Sequence, residues 1–190
     1  MYEPLIDGAI RKLWIGETDR YRDHLLRLDP ESRRNRFGGR VSAEFISGHV
    51  DDSIETDAII HGFFVDGVLR GAGELRPLRS ARPHEAEAAF SIERPWQSHG
   101  VGTALLARTL LAARNRRLKH LHMTCLADNR RMQQLAMKFD AALTFDFGSV
   151  IGEVAAPQPT PLSLMRELLV DGHDVAAAML DAQSRLLRTA

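Results

Sequence analysis

The sequence predicts an α+β fold: a mixed, mostly antiparallel central sheet flanked by helices, followed by a C-terminal helical tail. Three observations predict it. Two apolar runs meet at Asp66-Gly67, a dipeptide that closes tight antiparallel hairpins. Stretches with helical spacing of apolar residues cluster between the strand-like runs instead of alternating with them one for one, which argues against a doubly wound parallel sheet. In mid-chain, a loop carrying Gly100 and Gly102 joins a strand-like run to a helix-like run.

The elements follow in order. Ile10 to Ile15 reads as a first strand. Thr18 is placed to cap a helix with Tyr21, Leu25, Leu26 and Leu28 on one face. Asp29-Pro30 is a second helix start, with Pro at the first helical position. Ser42 caps a third helix carrying Phe45, Ile46 and Val50. The hairpin strands are Ala58 to Val65 and Val68 to Leu75. A fourth strand, Ala86 to Ile92, leads through the glycine loop into a helix reaching about Arg116. His120 to Leu126 is the fifth strand. Asp128 is placed to cap a helix through Phe139, with Met132, Leu135, Ala136 and Phe139 on one side. Ala142 to Phe147 and Val150 to Val154 form a closing pair around Gly148. Pro157, Pro159 and Pro161 mark a linker over 156–161, which divides a domain at 8–155 from a helical extension at 162–190. In that extension Leu164, Met165, Leu168 and Leu169 share a helix, Gly172 breaks it, and Asp174 starts another with Val175, Met179 and Leu186. The extension is too short to fold alone, so it packs on the domain or on a second subunit.

A chain of 190 residues is long enough for one domain with a substantial core. Its formal net charge is zero, so no long-range field draws it to nucleic acid or to an anionic membrane. Local basic clusters, Arg33/Arg34/Arg36/Arg40 and Arg114/Arg116/Arg117/Lys119, read either as solvated faces or as contacts for phosphates. The single cysteine, Cys125, fits a reducing compartment. Residues 1–7 lack the apolar core of a signal peptide, and no apolar run approaches the ~20 residues of a membrane helix. These features lead to the expectation of a soluble cytoplasmic protein.

The glycine loop names a ligand class. Glycines let the backbone turn tightly and approach a ligand, and the loop opens onto a helix N-terminus, where four N–H groups lack partners and the dipole is positive. That is a cradle for a phosphate or diphosphate. No Lys follows Gly102, so it is not a Walker loop. Leu105 stands where a dinucleotide fingerprint has its third Gly. What remains, Gln97-x-x-Gly100-x-Gly102-Thr103 after a mid-chain strand, resembles the cofactor motif of the GNAT family, the acyl-CoA-dependent N-acetyltransferases. The order of elements over about residues 8–155 matches that family too. The resemblance implies a sheet splayed between its fourth and fifth strands and acetyl-CoA as co-substrate, with no metal.

The same resemblance assigns residues. Ser91, Ile92, Glu93 and Arg94 would offer the strand edge to the pantetheine arm. Gln97 and the amides of Ser98, His99, Gly100, Val101, Gly102 and Thr103 would hold the diphosphate. Asn129 either bonds the pantetheine or caps its helix with Asp128. Glu87, in Ala-Glu-x-x-Phe, is the candidate base, with an outward-facing strand carboxylate as the other reading for it and for Glu85. A base matters most for a lysine amine of pKa near 10.4, of which well under ~1% is neutral at pH 7. Ala136 stands where many members have a Tyr acid, and the only tyrosines are Tyr2 and Tyr21. Thiolate is a good leaving group and can depart without one. Cys125 lies in an apolar strand, where thiols are inert, and His120 with His122 supply too few ligands for a metal. The Leu28-Asp29-Pro30-Glu31-Ser32-Arg33-Arg34 segment resembles that of bacterial protein-lysine acetyltransferases. The resulting expectation is direct acetyl transfer to a primary amine, on a protein lysine or a small molecule. The competing expectation is a GNAT-fold module that binds acyl-CoA without turnover. A homodimer through the C-terminal helices is the expected self-association, and the acceptor groove is expected between residues 33–46 and the closing strands.

Overall fold

The computed structural model describes residue 4, residues 6–78 and residues 84–188. Tyr2 lies outside them, as does the Leu186 side chain. Seven strands form one sheet: β1 (Ala9–Lys12), β2 (Ile59–Val65), β3 (Val68–Pro77), β4 (Glu85–Ile92), β5 (His120–Leu126), β6 (Ala142–Asp146) and β7 (Ser149–Ala155). Their spatial order is β1-β2-β3-β4-β5-β7-β6. Every pairing is antiparallel except β4 with β5, which is parallel. The helices are α1 (Thr18–Arg27), α2 (Pro30–Phe37), α3 (Ala43–Glu55), α4 (Val101–Asn115), α5 (Arg130–Met137) and α6 (Pro161–Arg188).

The turn chemistry sets the hairpins. Asp66 and Gly67 both take positive φ, 50° and 73°, as a two-residue hairpin turn requires. One apolar layer joins the sheet to α1 and α3 through Tyr21, Leu25, Leu28, Ile46 and Val50. The opposite layer joins it to α4 and α5 through Leu75, Leu106, Leu121, Met123 and Ala136. Strand alternation sends Ala86 and Ala88 to the second layer, which leaves Glu85, Glu87, Ala89 and Ser91 on the first.

Three local expectations are corrected. The first strand ends at Lys12, and Ile15–Glu17 form a 3-10 turn instead. The Glu17 carboxylate of that turn accepts from Arg11 at 2.6 Å. Thr18 is the first residue of α1 and not its cap. Asn129, not Asp128, caps α5, by accepting from the Met132 N–H at 3.1 Å, while Asp128 pairs with Arg34 at 2.9 Å. By contrast, Asp29 and Ser42 cap their helices through side-chain oxygens.

Gly172 does not break the tail: α6 runs unbroken through it. A single Gly in a helix costs only about 1 kcal/mol, and tertiary contacts on both sides outweigh it. Asp174 accepts from the Lys12 N–H at 3.0 Å and pairs with Arg108 of α4. Glu167 pairs with Arg116 at 2.7 Å, and Asn115 donates to the Ser163 carbonyl at 2.9 Å. The tail therefore lies against α4 and β1 of its own domain. A Cβ at Gly172 would meet open space. Gly172→Ala is expected to stabilise the protein by about 0.5–1 kcal/mol in urea unfolding, and a destabilised variant would contradict the continuous helix.

Candidate active site

The parallel pairing of β4 with β5 spans only Glu85↔His120, Ala86↔Leu121 and Glu87↔His122. Beyond those residues the strands part. The register with β3, together with the Glu93 N–H bond to the Arg70 carbonyl at 2.9 Å, turns the backbone groups of Ala89, Ser91 and Glu93 toward β3. Those of Phe90 and Ile92 consequently point into the opening. The Ile92 carbonyl is taken by the Gln97 side-chain amide at 2.8 Å, so the Phe90 N–H and C=O and the Ile92 N–H remain as an open strand edge.

A cleft of about 580 Å³ runs along this edge. Its floor includes the start of α4. Gly100 occupies the N-cap with φ +82°, and the first helical bond runs from the Ala104 N–H to the Gly100 carbonyl at 3.0 Å. The N–H groups of Val101, Gly102 and Thr103 precede that bond and have no partner within the helix. Gly102 adds closeness: a Cβ there would stand 3.4 Å from both Ile92 and Leu135. Ser98 also takes positive φ, 65°, and the His99 Nδ1 is buried without a partner among the described residues. Arg94, Arg131 and Lys138 line the cleft as cations. Orphaned donors, positive charge and two glycines fit a diphosphate.

A second cleft, of about 420 Å³, opens on the α1/α3 face. Glu87 and Ala89 of β4 line one side, Thr124 and Cys125 of β5 another, and the end of α2 closes it. Asn35 of α2 lines both clefts, and along β4 the second reaches Ala89 where the first begins at Phe90, so the two adjoin. Glu87 is exposed there, whereas Glu85 is bound by His122 at 2.8 Å. His120 likewise pairs with Glu153, at 2.6 Å. Burial raises the Cys125 thiol pKa, which keeps it protonated.

Two buried carboxylates brace the region. Glu74 of β3 accepts from Tyr21 at 3.0 Å, Ser53 at 2.7 Å and Arg76 at 2.9 Å, and pairs with Arg36 and His49. Burial alone would raise its pKa; the His49 hydrogen bond and the Arg36 charge reverse this and hold it well below the usual carboxylate range. Glu93 pairs with Arg27 at 3.1 Å and Arg70 at 3.0 Å, and with the His24 Nδ1 at 3.3 Å. The other His24 nitrogen reaches the Ser91 hydroxyl at 2.9 Å.

Of the residues expected from sequence, Ser91, Ile92, Arg94, Gln97, Ser98, Gly100, Gly102, Thr103 and Asn129 line the first cleft. Glu87 lines the second. The Val101 side chain is buried against Phe63 and Leu105, which leaves only its N–H at the loop. Glu93 spends its carboxylate on the Arg27–Arg70–His24 cluster. The Asn129 Oδ1 is committed to its cap. Ala136 is in the core, 3.3 Å from a Cβ built at Gly152. Members of both basic clusters are occupied internally: Arg33 holds the Leu26 carbonyl, Arg34 Asp128, Arg36 Glu74 and Arg116 Glu167. Sequence reasoning missed His24, Arg131 and Lys138, and it missed Glu74. An acid at an inward strand position, in Gly-Ala-Gly-Glu74-Leu, was the available signal for the last.

The model of the acetyltransferase (GNAT) family matches residues 33–140, more than half of the chain. The chain belongs to the GNAT family. It is 28% identical over 144 residues to acetyltransferase PA5475 of Pseudomonas aeruginosa, across 70% of this chain and 75% of that protein. Solved GNAT structures share the fold. The GNAT domain of S. lividans PAT superposes with a TM-score of 0.67 at 21% identity, covering 78% of this chain and 90% of its own. Salmonella typhimurium yncA, solved with its cofactor acetyl-CoA, gives 0.62 at 15% identity, covering 82% and 97%. The Thermoplasma acidophilum PaiA N-acetyltransferase, in complex with coenzyme A, gives 0.59 at 17%, covering 79% and 99%. The splay expected for a GNAT sheet is present between β4 and β5. No described helix is long and apolar enough to cross a membrane.

The buried histidines set an acid limit on stability. Burial lowers the pKa of His24, against the opposing Glu93 bond. Burial also lowers that of His61 on β2, to about 3, helped by the charges of Arg108 and Lys12. Below the ordinary value of 6.5 the unfolded chain takes up protons that the fold refuses, so this stability is complete above that pH and lost as pH falls. Urea unfolding at pH 5.5 is expected to give less stability than at pH 7.5, with His61 contributing about 1 kcal/mol of the loss and His24 adding in the same direction. His61→Asn is expected to remove one share; a loss unchanged in that variant would contradict the assignment.

Proposed function

We propose that this chain transfers an acetyl group from acetyl-CoA to a primary amine by direct attack. One observation carries the reading: the amide cradle at Gly100–Thr103 and the open edge at Phe90 and Ile92 lie in one cleft, which meets a second cleft lined by Glu87. Acetyl-CoA supplies the activated acyl carbon. The N–H groups of Val101, Gly102 and Thr103, with Arg131 and Lys138 nearby, bind the diphosphate. The Phe90 and Ile92 backbone orients the pantetheine arm as an added strand would. Glu87 takes the proton of the amine, directly or through a water, and so keeps the nucleophile neutral. No side chain at Ala136 donates to the departing thiolate, and a thiol pKa of about 8.5 allows it to leave unaided.

The acceptor class is a protein lysine or a small amine. The missing acid at position 136 also supports the second reading, a module that binds acyl-CoA without turnover. Thiol release from acetyl-CoA with a panel of amines separates the two. Glu87→Gln is expected to lower kcat by about 10²–10⁴-fold for high-pKa amines at pH 7, with unchanged acetyl-CoA affinity. Equal kcat in the variant would remove Glu87 from the chemistry. Gly100→Val, which forces a β-branched residue into positive φ at the cradle, is expected to weaken acetyl-CoA binding at least tenfold by calorimetry. Undiminished heat would refute the cradle.

A further inference from the structure

The cleft at Glu87 holds more positive charge than its structural carboxylate can balance. Glu74 is one acid between two guanidiniums, those of Arg36 and Arg76. Its oxygens meet five partners: Tyr21, Arg36 and His49 on Oε2, and Ser53 and Arg76 on Oε1. A carboxylate offers about four lone-pair sites, so Glu74 has no capacity left. Burial raises the Tyr21 pKa, with the Glu74 charge adding to it, so Tyr21 stays a neutral donor and brings no second anion. Among the described residues the one other acid lining this cleft is Glu87, directly opposite Arg76 in the β3–β4 register.

Donors also remain unspent. Arg36 is 8% exposed, and its Nε is buried with no hydrogen-bond partner among the described residues. Arg76, which lines the cleft, bonds Ser53 and Glu74 through Nη2, and among the described residues its Nη1 and Nε have no hydrogen-bond partner. Once Glu87 engages an amine, the two guanidiniums are one negative charge short. A carboxylate on the molecule in the cleft would supply that charge beside the buried Arg36 and displace the water that screens Arg76, whose side chain is 24% exposed.

We infer that the acceptor is a small amine carrying its own carboxylate, an amino-acid-like molecule whose carboxylate is bound by Arg76 and Arg36 while its amine lies at Glu87. The inference rests on the transfer reaction proposed above and narrows its substrate. Antiparallel partners across one strand pair have Cβ atoms about 4.5–5.5 Å apart, so the sites for amine and carboxylate are close neighbours. A space of about 420 Å³ suits such a molecule. A lysine side chain inserted from a protein surface would bring an amine and no anion.

The test compares matched acceptors: free amino acids, the same amino acids amidated, and a lysine peptide without acidic residues, with thiol release from acetyl-CoA as the readout. Each free acid is expected to exceed its amide by about 10- to 100-fold in kcat/KM, the range for a charge-assisted carboxylate–guanidinium pair. Arg76→Gln is expected to collapse that ratio toward one, through KM for the acid more than through kcat. Its acetyl-CoA affinity, measured in parallel, reports that the variant is folded. Amides or peptide lysines used as well as the free acids would overturn the inference, as would an undiminished ratio in Arg76→Gln. If no amine is acetylated, the transfer reading fails by itself. Calorimetry of free acids and amides into the CoA-bound protein then decides the inference: heat selective for the acids upholds it, and equal or absent heat overturns it.

Discussion

The site depends on a pairing that stops. β4 and β5 pair over Glu85–Glu87 and then diverge, and the first cleft lies along that divergence. A sheet interrupted in its middle exposes peptide groups that a continuous sheet would satisfy, at a cost of about 1–3 kcal/mol for each buried group left unpaired. The fold absorbs part of this with the Gln97 side chain on the Ile92 carbonyl. The remainder is an open strand edge along the first cleft. Parallel pairing makes the opening possible, since neither strand is tied to the other by a tight turn.

Holding the strands apart requires rigid anchoring of β4 on its other side. Two buried acids provide it. Glu74 fastens β3 to α1, α2 and α3, and Glu93 fastens the end of β4 to α1 and to Arg70 of β3. Such clusters are double-edged. Each charge costs several kcal/mol to desolvate, and removing one partner leaves the other exposed to that cost. The arrangement concentrates charge where the sheet must not close. His24, neutral and enclosed, links the Ser91 hydroxyl to Glu93 and ties α1 to the strand edge. On the other face apolar packing does the corresponding work, with Val101 and Leu105 seating α4 so that its N-terminus meets the cleft.

Much of this was legible in the chain. Asp66-Gly67 declared its hairpin because two successive positive-φ residues have few other sequence solutions. Asp29 and Ser42 announced their helices through capping chemistry. The glycine loop was legible as a strand-to-helix turn, and Gly100 does take positive φ at the start of α4. Illegible features were those made by distant residues meeting. Tyr21, Arg36, His49, Ser53 and Glu74 come from four separate elements, and no local spacing joins them. The same reason hid His24, which shares an apolar helix face with Tyr21 and Leu25. Gly172 misled because propensity is a local preference, whereas the contacts of Glu167 and Asp174 that hold α6 are tertiary.

Hydrogen exchange on the protein with and without acetyl-CoA tests the splayed-strand account most directly. The account predicts that the ligand slows exchange at the Phe90 and Ile92 amides and at Val101–Thr103. Slowing is expected to be absent at β2 and at the β6–β7 hairpin. Unchanged exchange at Phe90, Ile92 and the start of α4 under saturating acetyl-CoA would contradict it.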